Sequence, residues 1–98
     1  MARTHLKMED ARKINLYVAL TDADVDFDGG TWFIDTPNGC SFYKTAEWMM
    51  EDINVNLEES RRLYEEQGEL DEWERLVEVA NKTRFRLSGE SDRMKARR

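Results

Sequence analysis

The spacing of apolar residues changes character twice along the chain. Between Leu6 and Leu20, Met8, Ala11, Ile14, Tyr17 and Val18 recur at helical spacing, while Ile14, Leu16, Val18 and Leu20 also alternate as a strand would. Good helix formers from Met8 to Lys13, with Thr4 as a capping residue, favour the helix. Three short segments then carry strand patterning: Asp24 to Asp28 alternates strictly, Thr31 to Asp35 is rich in β-branched and aromatic residues, and Cys40 to Lys44 carries Phe42 and Tyr43. Gly29-Gly30 suits a two-residue hairpin turn, and Thr36-Pro37-Asn38-Gly39 suits a type I turn closed by a left-handed Gly39.

Helical spacing returns after Lys44. Thr45 is a credible cap with Glu47 in the opening turn, and Ala46, Met50, Ile53, Leu57 and Tyr64 mark one face until Gly68 ends the helix. A last helix opens at Asp71, where Glu74 completes an approximate capping box, and buries Trp73, Leu76, Val77, Ala80 and Leu87 before Gly89 stops it. The short connection makes these two helices antiparallel neighbours, expected to pack across one face of the sheet. The predicted fold is α+β: an N-terminal helix, a three-stranded antiparallel β-meander, an antiparallel helical hairpin and a basic C-terminal tail. One domain over residues 1–88 and a flexible tail over 89–98 fit a chain of 98 residues. Trp32, Trp48 and Trp73 fall one to each main element and are expected as core anchors.

Charge adds a second layer of organisation. From Ile14 to Asn81 there are 17 acids against four bases, whereas residues 82–98 carry seven bases against two acids. An acidic body opposes direct contact with nucleic acid and favours cationic partners. The single cysteine, Cys40, excludes an intrachain disulfide and reads as a semi-buried filler. The longest apolar run, Leu16 to Leu20, is far too short to span a bilayer, so no membrane partner is expected, and the N-terminus lacks a secretory pattern, which suggests the cytoplasm.

The densest acidic stretch, Asp22-Ala23-Asp24-Val25-Asp26-Phe27-Asp28-Gly29-Gly30, supports two readings. As an EF-hand-like loop, Asp24, Asp26 and Asp28 would take positions 1, 3 and 5, Gly29 the sharp turn and Asp35 position 12. Asp in place of the bidentate Glu, Thr31 where an aliphatic residue belongs, and Pro37 with Gly39 where an exit helix should follow all oppose that loop. As a strand, the stretch sets Asp22, Asp24, Asp26 and Asp28 in a row on one face, with Ala23, Val25 and Phe27 on the other. Such a row either protects a sheet edge or binds something cationic. Glu47, Glu51, Asp52 and Glu58 continue the acidic surface on the first helix of the hairpin, where Glu58 and Arg62 are spaced for an i,i+4 pair.

Catalysis is not expected. The lone histidine, His5, lies near the terminus without an orienting partner, and there is neither a phosphate-cradling glycine loop nor Cys/His metal spacing, so no cofactor is implied. The order of elements, the size and the acidity together resemble the phage anti-CRISPR proteins that inhibit Cas9 as DNA mimics. This likeness of architecture implies a non-catalytic inhibitor or decoy, whose protein partner has a basic nucleic-acid-binding surface. Asp22, Asp24, Asp26, Asp28, Glu47, Glu51, Asp52 and Glu58 are the expected contact residues. The alternatives are a helical-hairpin adaptor, forming a homodimer or docking a partner, whose basic tail touches nucleic acid or an acidic protein, and a calcium-binding protein using Asp24, Asp26, Asp28 and Asp35.

Overall fold

The structure is a computed structural model and describes residues 6–83. Its elements run α1 (Met8–Thr21), β1 (Asp24–Asp28), β2 (Thr31–Thr36), β3 (Gly39–Tyr43), α2 (Ala46–Glu66) and α3 (Leu70–Lys82). This is the α+β order expected from the patterning. His5, Thr4, Leu87, Gly89 and the basic tail lie outside the described residues.

The three strands form one antiparallel sheet in the order β1-β2-β3. Phe27 pairs with Trp32 and Trp32 with Tyr43, while Val25 pairs with Ile34, so these side chains share the inner face. The Phe27 and Trp32 rings lie 5.0 Å apart in a tilted arrangement. Gly29 and Gly30, at φ 61° and 83°, make the first turn, a backbone that the flanking strand twist favours and that glycine adopts without strain. The second turn departs from expectation. Gly39 has φ 147°, in the extended positive-φ region rather than the left-handed helical one, because it already pairs with Thr36 as the first residue of β3. The Thr36 hydroxyl closes the turn, donating to the Gly39 carbonyl at 3.0 Å and accepting from the Asn38 amide at 3.2 Å.

Helices α1 and α2 pack against the sheet, and α3 packs on α1 and α2. The expectation that α3 would share the sheet face is thus corrected: α1 occupies that place. Contact with β1, α2 and α3 at once explains the ambiguous pattern of α1. Ala11, Ile14, Leu16 and Tyr17 are buried over a broad arc, which blurs the 3.6-residue period and lets alternate residues read as a strand. The residue at the N-cap of α1 is Lys7, without a side-chain cap, so Thr4 stands too early to perform that role. The expected capping box of α3 is likewise displaced, since α3 starts at Leu70 with Glu69 at the N-cap and Asp71 already inside the first turn.

Helix α2 is capped as expected, with the Trp48 amide donating to the Thr45 hydroxyl at 3.1 Å. It ends at Gly68, φ 72°, where Gly68 N–H donates to Glu65 and Glu69 N–H to Tyr64 at 3.0 and 2.7 Å. That pair of bonds is a Schellman closure, and it turns the chain back so that Tyr64 meets Trp73 edge-on at 5.7 Å. At the far end of α3, the Asn15 amide donates to the Ala80 and Thr83 carbonyls at 3.3 and 3.0 Å, fixing the helix terminus to α1.

The core contains Ile14, Val25, Met49 and Ile53, each almost fully enclosed. Trp32 and Trp73 belong to it, but Trp48 is 56% exposed. Trp48 is one residue before Met49, and the hundred-degree step per residue that buries Met49 carries the indole toward solvent. Cys40 is also exposed rather than half-buried, because it pairs with Asp35 on the outer face of the sheet.

Candidate functional site

The aspartate stretch does not form a uniform row. Asp22 lies outside β1 and terminates α1 in the left-handed conformation, φ 56°, its amide donating to the Val18 carbonyl at 3.0 Å. Aspartate tolerates that backbone better than most residues, so this acid serves the helix end. Asp24, Asp26 and Asp28 do project together, opposite Asp35, Phe33 and Thr31. Asp24 and Asp28 are exposed, whereas Asp26 is only 3% exposed and its Oδ1 accepts from the Phe27 amide at 2.8 Å. Three of the four acids, Asp22, Asp24 and Asp28, are therefore exposed, but only Asp24 and Asp28 share the strand face, with Asp35 across the sheet from Asp24.

The calcium arrangement fails on the same geometry. Its ligands must curl around one point, yet Asp24, Asp26 and Asp28 follow an extended strand, whose ends lie roughly 13 Å apart. Asp35 is opposite Asp24 and far from Asp28. Among the described residues, no three His, Cys, Asp or Glu side chains are placed to hold a metal ion.

Helix α2 presents a different picture. Its inner side is defined by Met49, Met50, Ile53 and Leu57, all buried. Glu47, Glu51, Asp52, Glu58, Glu59, Glu65 and Glu66 are all exposed, against Arg61 and Arg62 as the bases of the same helix. The acids come in adjacent pairs at 51–52, 58–59 and 65–66, a seven-residue repeat. Seven residues are nearly two helical turns, so each pair stacks about 10.5 Å above the last and on almost the same side. The expected contact residues Glu47, Glu51, Asp52 and Glu58 thus lie together, and Glu59, Glu65 and Glu66 extend their face. These three are outward-facing by the helical pattern, and the repeat is what joins them to the expected contact residues.

Asp52 has a second role. Its Oδ2 accepts from the Tyr43 hydroxyl at 2.7 Å, tying α2 to β3. Burial pushes the Tyr43 phenol up to about 12, with the bond to Asp52 and its negative charge acting in the same direction. Tyr17 is also raised, first by burial, with the Asp52 charge adding to it and a hydrogen bond from Thr21 opposing it.

The remaining cations are distributed unevenly. On α3, Arg75 pairs with Glu72 and Lys82 with Glu78, the latter at 2.8 Å. On α2, the ion pair among the described residues is Arg61 with Glu65 at 4.0 Å, rather than Glu58 with Arg62. Helix α3 therefore has its two bases matched to acids, while α2 keeps a large excess of carboxylate. Between α1 and α3 runs a cavity of about 250 Å³ lined by Ile14, Val18, Leu76 and Val79; its polar members are already committed, Asn15 to the α3 terminus and the Thr83 hydroxyl to the Val79 carbonyl.

No family model matches the chain, and neither a curated protein nor a solved structure does.

Proposed function

We propose that this chain is a non-catalytic acidic protein that binds a protein surface built for a phosphate backbone and so acts as an inhibitor or decoy. The observation that carries the reading is the outer face of α2. Seven exposed acids lie along a helix of 21 residues, or about 30 Å, which is one carboxylate per roughly 4.3 Å of axis. One strand of B-DNA places its charges about 3.4 Å apart along the axis, so the gross linear density is comparable. A basic groove that meets such a helix can release counterions much as it does on meeting nucleic acid. Asp24, Asp28 and Asp35 add charge on the sheet, and folding alone does not call for so lopsided a surface.

Immobilised protein exposed to a cell lysate at low salt is expected to retain nucleic-acid-handling proteins, and to release them as salt rises. The Glu51→Lys, Glu58→Lys, Glu65→Lys triple variant should lose them. Deletion of residues 89–98 should leave retention intact, since the acidic face does not include the tail. Retention indifferent to both salt and charge reversal would sink the reading, and retention that depends on the tail would favour an adaptor instead.

A further inference from the structure

The acid pairs of α2 flank a seam. Trp48, Val55 and Arg62 recur at seven-residue intervals on the side of the helix opposite Ile53 and Leu57. Trp48 and Val55 are 56% and 54% exposed. Glu51, Glu58 and Glu65 line one side of the seam and Glu59 and Glu66 the other, where Asp52, at the third matching position, is bonded to the Tyr43 hydroxyl.

We infer that this seam binds one basic amphipathic helix of a partner protein, with aliphatic residues every seven positions and Lys or Arg beside them. The inference rests on the acidic-decoy reading and deepens it by naming the shape of the basic surface. Period decides for a helix: an axial repeat of about 10.5 Å matches a second helix carrying the same seven-residue spacing, whereas same-face residues of a strand recur every ~6.6–6.8 Å. Charge decides for a basic partner and against a second copy of this chain, which would bring like-charged rails together. The indole and the valine then give register, which charge alone does not provide, because an exposed apolar seam gains only from a partner that covers it.

The test uses the full chain and two synthetic 21-residue peptides. One carries leucine every seven residues with flanking Lys and Arg; the other has the same composition with that spacing scrambled. The spaced peptide should bind at least roughly tenfold tighter at the same salt concentration and shift Trp48 fluorescence to shorter wavelength as the indole leaves water. In a Trp48→Ala, Val55→Ser variant, both changes lying at exposed positions, the preference between peptides should vanish while salt-dependent binding of both persists. Equal affinity of the intact chain for the two peptides overturns the seam but leaves the acidic-surface reading standing. Failure of both to bind in a salt-dependent manner overturns the seam as well, and the lysate experiment then decides the decoy reading separately.

Discussion

The two acidic regions of this molecule have similar composition and opposite fates. In and before β1 the acids alternate with apolar residues, and the fold disperses them: Asp22 stands exposed at the end of α1, Asp26 is enclosed, and Asp24 and Asp28 remain in solvent on the strand. In α2 the acids come in pairs at a seven-residue interval, and the helix gathers them on a continuous outer face. The difference lies in the geometry of the carriers. A five-residue strand at a sheet edge has two faces and a neighbour on one side, so each aspartate meets a separate environment. A 21-residue helix packed along one side offers a single long exposed surface. Local density of charge is therefore a poorer guide to a binding surface than the period at which the charge recurs.

The sharpest separation of the two faces of α2 comes from its apolar residues. Ile53 is fully buried and Val55 is half in solvent. Ile53→Ala should cost about 2–5 kcal/mol in denaturant unfolding, through lost burial and the cavity left behind. Val55→Ala should stay within about 0.5 kcal/mol. Equal effects would mean that the outer face is covered and the division of the helix is wrong.

The β1 aspartates give the next contrast. Asp26→Ala removes a buried carboxylate that accepts from the Phe27 amide, and should destabilise by about 1–3 kcal/mol. Asp24→Ala, at an exposed position of the same strand, should change stability by no more than about 0.5 kcal/mol. If the two variants unfolded alike, the aspartates would after all behave as one row.

The order of elements was legible because period and punctuation agreed: Gly29-Gly30 turns one hairpin, Thr45 caps α2, and Gly68 closes it. What sequence could not supply was the environment of individual side chains. Alternation correctly assigned Asp26 to the face of Asp24 and Asp28, but a face is not the same as exposure. Trp48 was misread for a related reason, since hydrophobicity alone does not tell a core anchor from an exposed ring one step around the helix. The Thr4 and Asp71 caps failed because capping depends on where the first helical residue falls, and neighbouring polar residues compete for that position. For the candidate surface, the eight expected acids included four that α2 does bring together; Glu59, Glu65 and Glu66 were legible as outward-facing acids of the same helix, and their seven-residue repeat is what joins them to that face.

The smallest effect concerns the point where the acidic helix is fastened to the sheet. Tyr43→Phe removes the hydrogen bond to Asp52 and should cost about 1 kcal/mol near neutral pH. The alkaline range carries the more specific signature. The phenol is raised from 10.0 to about 12 in the fold, so the folded state holds its proton more tightly than the unfolded chain does. Its contribution is fully present below pH 10 and is lost as the pH climbs toward 12, where a phenolate would face the Asp52 carboxylate. The stability gap between the native protein and Tyr43→Phe, measured by urea unfolding at successive pH values, should therefore narrow across that window. A gap that stays constant from pH 9 to about 12 would show that Asp52 is not held by Tyr43, and would return that acid to the outer face of α2 as a group free to meet a partner.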